Sequence, residues 1–171
     1  MTHLIVSCSL SHKSKSYALA EQLQRLIPNS TLLDLRKHEL PLCDASTCYS
    51  HPSVQNCQKI VNEASSIIVC APIYNYDLNA AAKNFAELTG QGWREKVVSV
   101  VVAAGGTSSY MAPLSFVNSL MIDFRCIIVP RFVYAQGSAF NELCEITDSS
   151  IITRLTDLAE THTTLVRKLG H

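Results

Sequence analysis

Charge is scarce in this sequence: 16% of its 171 residues carry it, and Lys plus Arg equal Asp plus Glu at 14 each. A chain without net charge projects no general field toward nucleic acid or an anionic membrane. It also lacks the strong acidity expected of a small carrier that docks on basic partners. Long apolar runs are missing too. The longest, Val97 to Ala104, is interrupted by Ser99 and is far too short to cross a bilayer. No leader is read at the start, because residues 3–8 are apolar for only a few positions before the polar run Ser9 to Ser16. The seven cysteines are an odd number without the dense pairing of a secreted scaffold, so reduced thiols in a cytoplasm are expected. There is no GxGxxG for a pyrophosphate and no GxxxxGK[ST] for a nucleoside triphosphate. Internal repeats, low-complexity tracts and linkers are likewise absent.

What is present is apolar and regular. Nearly half of the residues (47%) are apolar, which excludes disorder, and the length suits one domain, residues 1–171, with a full core. Strands are expected at 3–8, 31–35, 66–71, 97–103 and 126–129, the third and fourth being β-branched and almost continuous, as strands buried on both faces are. Helices are expected at 15–27, 53–65, 79–89, 111–122 and 149–169, from apolar residues recurring at helical spacing. Five strands alternating with helices imply a parallel sheet with helices on both faces. Segments 36–52 and 130–147 are the least regular and are read as excursions.

In such a sheet, ligands bind beyond the carboxyl ends of the strands. The loop after the first strand holds Ser9, Ser11, Ser14 and Ser16 with His12, Lys13 and Lys15, and runs directly into a helix. Hydroxyls, lysines and the free N–H groups of a helix start suit a monophosphate; a plain serine cap explains the same residues. The loop after the third strand, Ala71 to Asn79, carries Pro72, Ile73, Tyr74, Asn75 and Tyr76. It offers stacking surface and directed hydrogen bonds to a flat heteroaromatic ring. A proline-started turn capped by Asp77 or Asn79 is the alternative. The loop after the fourth strand, with Gly105, Gly106, Thr107 and Ser108, admits close backbone approach and positive φ at its paired glycines.

Together these residues resemble the NAD(P)H-dependent FMN reductases, a flavodoxin-like group that includes chromate, quinone and azo-dye reductases. The sharpest fragments are Pro72-Ile73-Tyr74-Asn75, then Lys83-Asn84, with Leu40-Pro41-Leu42-Cys43-Asp44 after the second strand. The resemblance spans most of the chain and implies a three-layer α/β/α sandwich with a five-stranded parallel sheet in the order 2-1-3-4-5. It implies FMN held by Ser9, Ser14 and Ser16 at its phosphate, with Ser11 in the same loop. Pro72, Ile73, Tyr74 and Asn75 would line the ring and ribityl chain, and Gly105, Gly106, Thr107 and Ser108 the pyrimidine end. The pattern departs at Cys8, where the family often has glycine. It departs again at Ser11, where the family often has an arginine that His12 or Lys13 would have to replace. Asp77-Leu78-Asn79 is the third departure.

The activity implied is hydride transfer from NADPH or NADH through FMN to a flavin, quinone or other small acceptor. No catalytic side chain and no metal is required for it. A homodimer or homotetramer is implied, with Phe85, Leu88, Met111, Phe116 and Met121 as candidate contacts. The alternatives are a flavodoxin-like electron carrier or FMN-binding module without nicotinamide turnover, and a domain with an empty site. A separate metal reading rests on Cys43, Cys48, His51 and Cys57, against which Cys57 falls on the apolar face of an expected helix. Cys8, Cys70 and Cys126 are expected in the core.

Overall fold

The computed structural model describes residues 2–170; Met1 and His171 lie outside the described residues. The parallel strands are β1 (His3–Ser7), β2 (Ser30–Asp34), β3 (Ser66–Tyr74) and β5 (Val97–Ala104), joined by two short pieces, β6 (Ile127–Ile128) and β7 (Val133–Gln136). β4 (Asp77–Leu78) pairs antiparallel with the end of β3. The sheet runs β2-β1-β3-β5-β6, with β7 also parallel to β5, so the expected succession of five positions is present. Helices α1 (Lys15–Leu26), α2 (Pro52–Glu63), α3 (Ala80–Thr89), α4 (Pro113–Phe124) and α5 (Ser149–Leu169) connect them.

Side chains alternate between the two faces of the sheet, and both faces are apolar, which is why β3 and β5 read as unbroken hydrophobic runs. Leu4, Val6, Val69, Val98 and Val100 face a core closed by Phe85, Trp93, Phe116 and Leu120 beneath α2, α3 and α4. Ile5, Ile68, Cys70 and Val101 face the other way, onto Leu19 and Leu23 of α1 and Leu155 and Leu158 of α5. Cys8 and Cys70 are buried, and burial pushes both thiols well up. The Cys126 thiol is pushed up to about 12, again chiefly by burial. These are inert core residues.

Two expectations need correction. The fifth strand, read at 126–129, is only two residues long there and resumes as β7 inside the segment read as an excursion. Between the two pieces, Pro130 has no N–H for the ladder and Arg131 takes φ 68, so the chain leaves the sheet and returns. The supposed contact surface also divides. Phe85, Leu88 and Phe116 are core residues, whereas Met111 (63% exposed) and Met121 lie on the surface with Leu114 and Ile122 (77%).

The metal reading finds no support in the packing. Cys57 lies in the main core, Cys48 packs with Val54 and Leu88, and His51 caps α2 by accepting from the Ser53 amide at 3.3 Å. Among the described residues no three His, Cys, Asp or Glu side chains gather around one point. No helix among them is long and apolar enough to cross a membrane.

Candidate cofactor site

The carboxyl ends of β1, β3 and β5 bring the three unusual loops side by side. The first turns sharply into α1 because Ser14 caps that helix: its Oγ accepts from the Tyr17 amide at 3.0 Å and lies 3.2 Å from Ser16 Oγ. Ser9 Oγ accepts from the Ser11 amide at 3.3 Å, and Ser11 Oγ donates to the Lys13 carbonyl at 2.9 Å. Among the described residues, the amides of residues 12–16 have no hydrogen-bond acceptor. A run of free N–H groups at a helix start, flanked by hydroxyls and Lys15, has the chemistry to bind an anion. Lys15 Nζ reaches the Gly137 carbonyl at 3.5 Å and stands 5.7 Å from the centre of the Phe140 ring, so the segment after β7 closes over the loop.

The second loop is a hairpin, which corrects the proline-started turn considered from sequence. Pro72, Ile73 and Tyr74 finish β3, and Asn75 and Tyr76 form a two-residue turn with φ 52 and 63. Both central residues thus take the left-handed conformation that the mirror-image hairpin turns require. Asparagine tolerates it well; tyrosine does so poorly. Tyr74 and Tyr76 project outward, 52% and 70% exposed. Replacing Tyr76 by glycine should relieve that strain and stabilise the flavin-free protein by about 0.5–1 kcal/mol, read as a higher midpoint in urea. Tyr76→Ala, which keeps the strained backbone, should bring no such gain.

Gly105 and Gly106 open the third loop, but neither has positive φ. The conformational reason offered from sequence therefore does not apply. Their value is space: a Cβ on either would meet nothing within 4 Å, so the backbone is bare toward the hollow. Tyr134 of β7 pins this loop, its hydroxyl donating to the Gly106 carbonyl and lying 2.9 Å from Ser109 Oγ.

Two adjoining hollows result. One of about 380 Å³ is lined by Ser9, Ser11, Ser14, Ser16, Pro72, Ile73, Tyr74 and Gly105, together with Lys13, Lys15 and Cys144. The second, about 280 Å³, is lined by Ile73, Asn75, Tyr76, Gly106, Ser108 and Ser109. Ile73 belongs to both. Of the residues proposed from sequence, Thr107 alone borders neither. Larger hollows exist, one of about 790 Å³ between α2, α3 and α4 and one of about 650 Å³ that shares His12, Lys13 and Ser14 of the first loop, but neither is lined by the second or third loop. Lys15, one of the two loop lysines read from sequence as suited to a phosphate, lines the first hollow. Tyr134 and Gly137, on the short strand β7 and just beyond it, are neighbours that sequence reasoning missed. The Asn84 side chain links two fragments that the resemblance had joined: it accepts from the Cys43 amide and donates to the Pro41 carbonyl, both at 2.9 Å.

Comparisons with known proteins bear on the family and the fold. A family model described as NADPH-dependent FMN reductase matches residues 1–141. An NAD(P)H-dependent FAD/FMN reductase from Geobacillus thermodenitrificans (strain NG80-2) is 28% identical over 154 residues, covering 85% of this chain and 83% of the relative. In fold, the chain is similar to FerB, a flavoenzyme NAD(P)H:(acceptor) oxidoreductase from Paracoccus denitrificans. That match has TM-score 0.81 and 18% identity, over 98% of this chain and 97% of FerB. It is also similar to an azoreductase from Bacillus anthracis str. Sterne, with TM-score 0.66 and 18% identity, over 93% of this chain and 99% of that one. At such identities the structures speak for the fold, which is flavodoxin-like. The family match extends over most of the chain and takes in all three loops, and the chain belongs to the NADPH-dependent FMN reductase family.

Proposed function

We propose that this protein is an FMN-dependent oxidoreductase that passes hydride from NADPH or NADH to a small acceptor, a flavin or quinone among them. The observation that carries the reading is the run of unpaired amides at residues 12–16, set among buried serines at the head of a parallel sheet. An anion cradle of that size fits one phosphate, and family membership supports reading it as that of FMN.

Ser9, Ser11, Ser14 and Ser16 with Lys15 would hold the phosphate. Pro72, Ile73, Tyr74 and Asn75 would line the ribityl chain and ring, and Gly105, Gly106 and Ser108, with Thr107 beside them, the far edge. When bound, FMN supplies the capacity to take hydride from the nicotinamide and hand it on. This chain's contribution is to bind and orient. The exposed backbone of the second and third loops offers hydrogen bonds to the ring edge, and the tyrosines of the hairpin border the open face where donor and acceptor would alternate. No side-chain acid or base is needed for the hydride step.

Both apolar layers rest on one sheet, which supports reading residues 1–171 as a single domain. The balanced charge supports small-molecule partners over nucleic acid or membrane, and the seven unpaired cysteines support a reducing cytoplasm. The exposed apolar face of α4, with Leu114, Met121 and Ile122, supports a homodimer or homotetramer.

Steady-state kinetics test the shared site. With NADPH varied at several fixed quinone concentrations, the double-reciprocal lines should be parallel, because one substrate must leave before the other enters. Intersecting lines would contradict it.

A further inference from the structure

Arg36 comes from the turn after β2 and is distant in sequence from the first loop, yet its guanidinium lies against it. Nε donates to both Asp34 carboxylate oxygens, at 2.9 and 3.1 Å, and Nη2 donates to Oδ2 at 2.7 Å. The Arg36 amide also donates to Asp34 Oδ1 at 3.1 Å. The planar group stacks on Tyr17 of α1, 4.2 Å from the ring centre. Fixed on three sides, it has one nitrogen left, and Nη1 donates to the carbonyls of Ser11 and His12, each at 3.4 Å.

The consequence follows from peptide geometry. In a trans peptide the carbonyl and the next residue's N–H point in opposite directions. Drawing the Ser11 and His12 carbonyls toward Arg36 turns the amides of His12 and Lys13 away from it, and these are among the unpaired amides of the cradle. Asp34 is only 4% exposed and cancels the charge of Arg36, so the guanidinium acts on the loop by shape more than by field. Burial alone would raise the Asp34 carboxyl, but the hydrogen bonds and charge of Arg36 outweigh it and hold the carboxyl below its usual value.

We infer that Arg36, braced by Asp34 and Tyr17, is a positioning residue that sets the first loop in its phosphate-binding conformation, so that the preference for FMN over riboflavin depends on it. The inference rests on the phosphate reading of that loop. The test compares dissociation constants of FMN and riboflavin for the flavin-free full chain, measured by quenching of flavin fluorescence. Two variants are used: Arg36→Lys, which keeps the charge and loses the planar fork, and the double variant Asp34→Asn with Arg36→Gln, which leaves no buried carboxylate unpaired. Circular dichroism establishes that each is folded.

In both variants the FMN-to-riboflavin preference should fall at least about tenfold, the scale of one or two lost hydrogen bonds to a charged group, with riboflavin affinity unchanged. A merely structural role would weaken both flavins together and leave the ratio intact, which would overturn the inference. So would full rescue by lysine, since charge alone would then suffice. A wild-type protein that binds FMN no better than riboflavin would bring down the phosphate reading and this inference together.

Discussion

Ser14→Asp is expected to abolish retention of FMN while leaving the helix that Ser14 caps in place. Aspartate caps a helix start as well as serine does, so the bond from the Tyr17 amide has an equivalent acceptor and α1 keeps its first turn. The new carboxylate, however, would occupy the wall of the hollow beside Ser16 and Lys15. Two unit charges at about 5 Å repel by roughly 3 kcal/mol at an effective dielectric constant near 20. Even heavily discounted, that repulsion against a phosphate dianion weakens FMN by roughly 100-fold or more. Riboflavin, which has no phosphate, should bind the variant as it binds the wild type. Ser14→Ala makes the complementary case: it should lose about 1 kcal/mol of stability with the cap and far less FMN affinity. Equal losses of FMN and riboflavin in Ser14→Asp would place the phosphate elsewhere.

Stability should fall steeply as pH drops below the ordinary histidine range, and His162 should be the main cause. On α5, at the opposite end of the sheet from the candidate cofactor hollow, its ring is fully buried. His162 Nδ1 lies 2.8 Å from Ser99 Oγ, and Nε2 lies 2.8 Å from Ser66 Oγ, which is in turn 2.8 Å from His3 Nδ1. Burial, with the nearby His3 as a second cause, pushes His162 down to about 3 from its ordinary 6.5. The folded ring therefore stays neutral where the unfolded ring takes a proton. Its contribution is complete above pH 6.5 and is lost as pH falls from there toward 3, at up to about 1.4 kcal/mol per pH unit. His3, also held low chiefly by burial, acts with the same sign. His162→Leu should flatten the slope. At neutral pH it should cost roughly 3 kcal/mol, because the Ser66 and Ser99 hydroxyls lose a partner in a buried site. Urea midpoints at a series of pH values measure both effects, and a variant with an undiminished slope would contradict the assignment.

The helices were legible because each shows a full apolar stripe at 3.6-residue spacing, and α5 was found from end to end. The inner strands were legible because two apolar faces leave no polar alternation to confuse them. The missed features share a different cause. β7 follows a proline and is four residues long, so nothing local distinguishes it from a loop. The hairpin at Asn75 and Tyr76 lacks the glycine that normally signals such a turn. Arg36, Tyr134 and His162 act on residues far away in the chain, and only the sheet order brings them into contact. The candidate site was legible in outline, since strand ends hold ligands in this architecture. The reason given for Gly105 and Gly106 was half right: the backbone is bare there, without the unusual φ.

The most direct test of the central claim is the visible spectrum of the full chain reconstituted with FMN and titrated with NADPH in the absence of oxygen. Bound flavin whose oxidised bands bleach as NADPH is added is the result predicted here. A protein that retains no FMN, or whose bound flavin keeps its bands in excess NADPH and NADH, would contradict it.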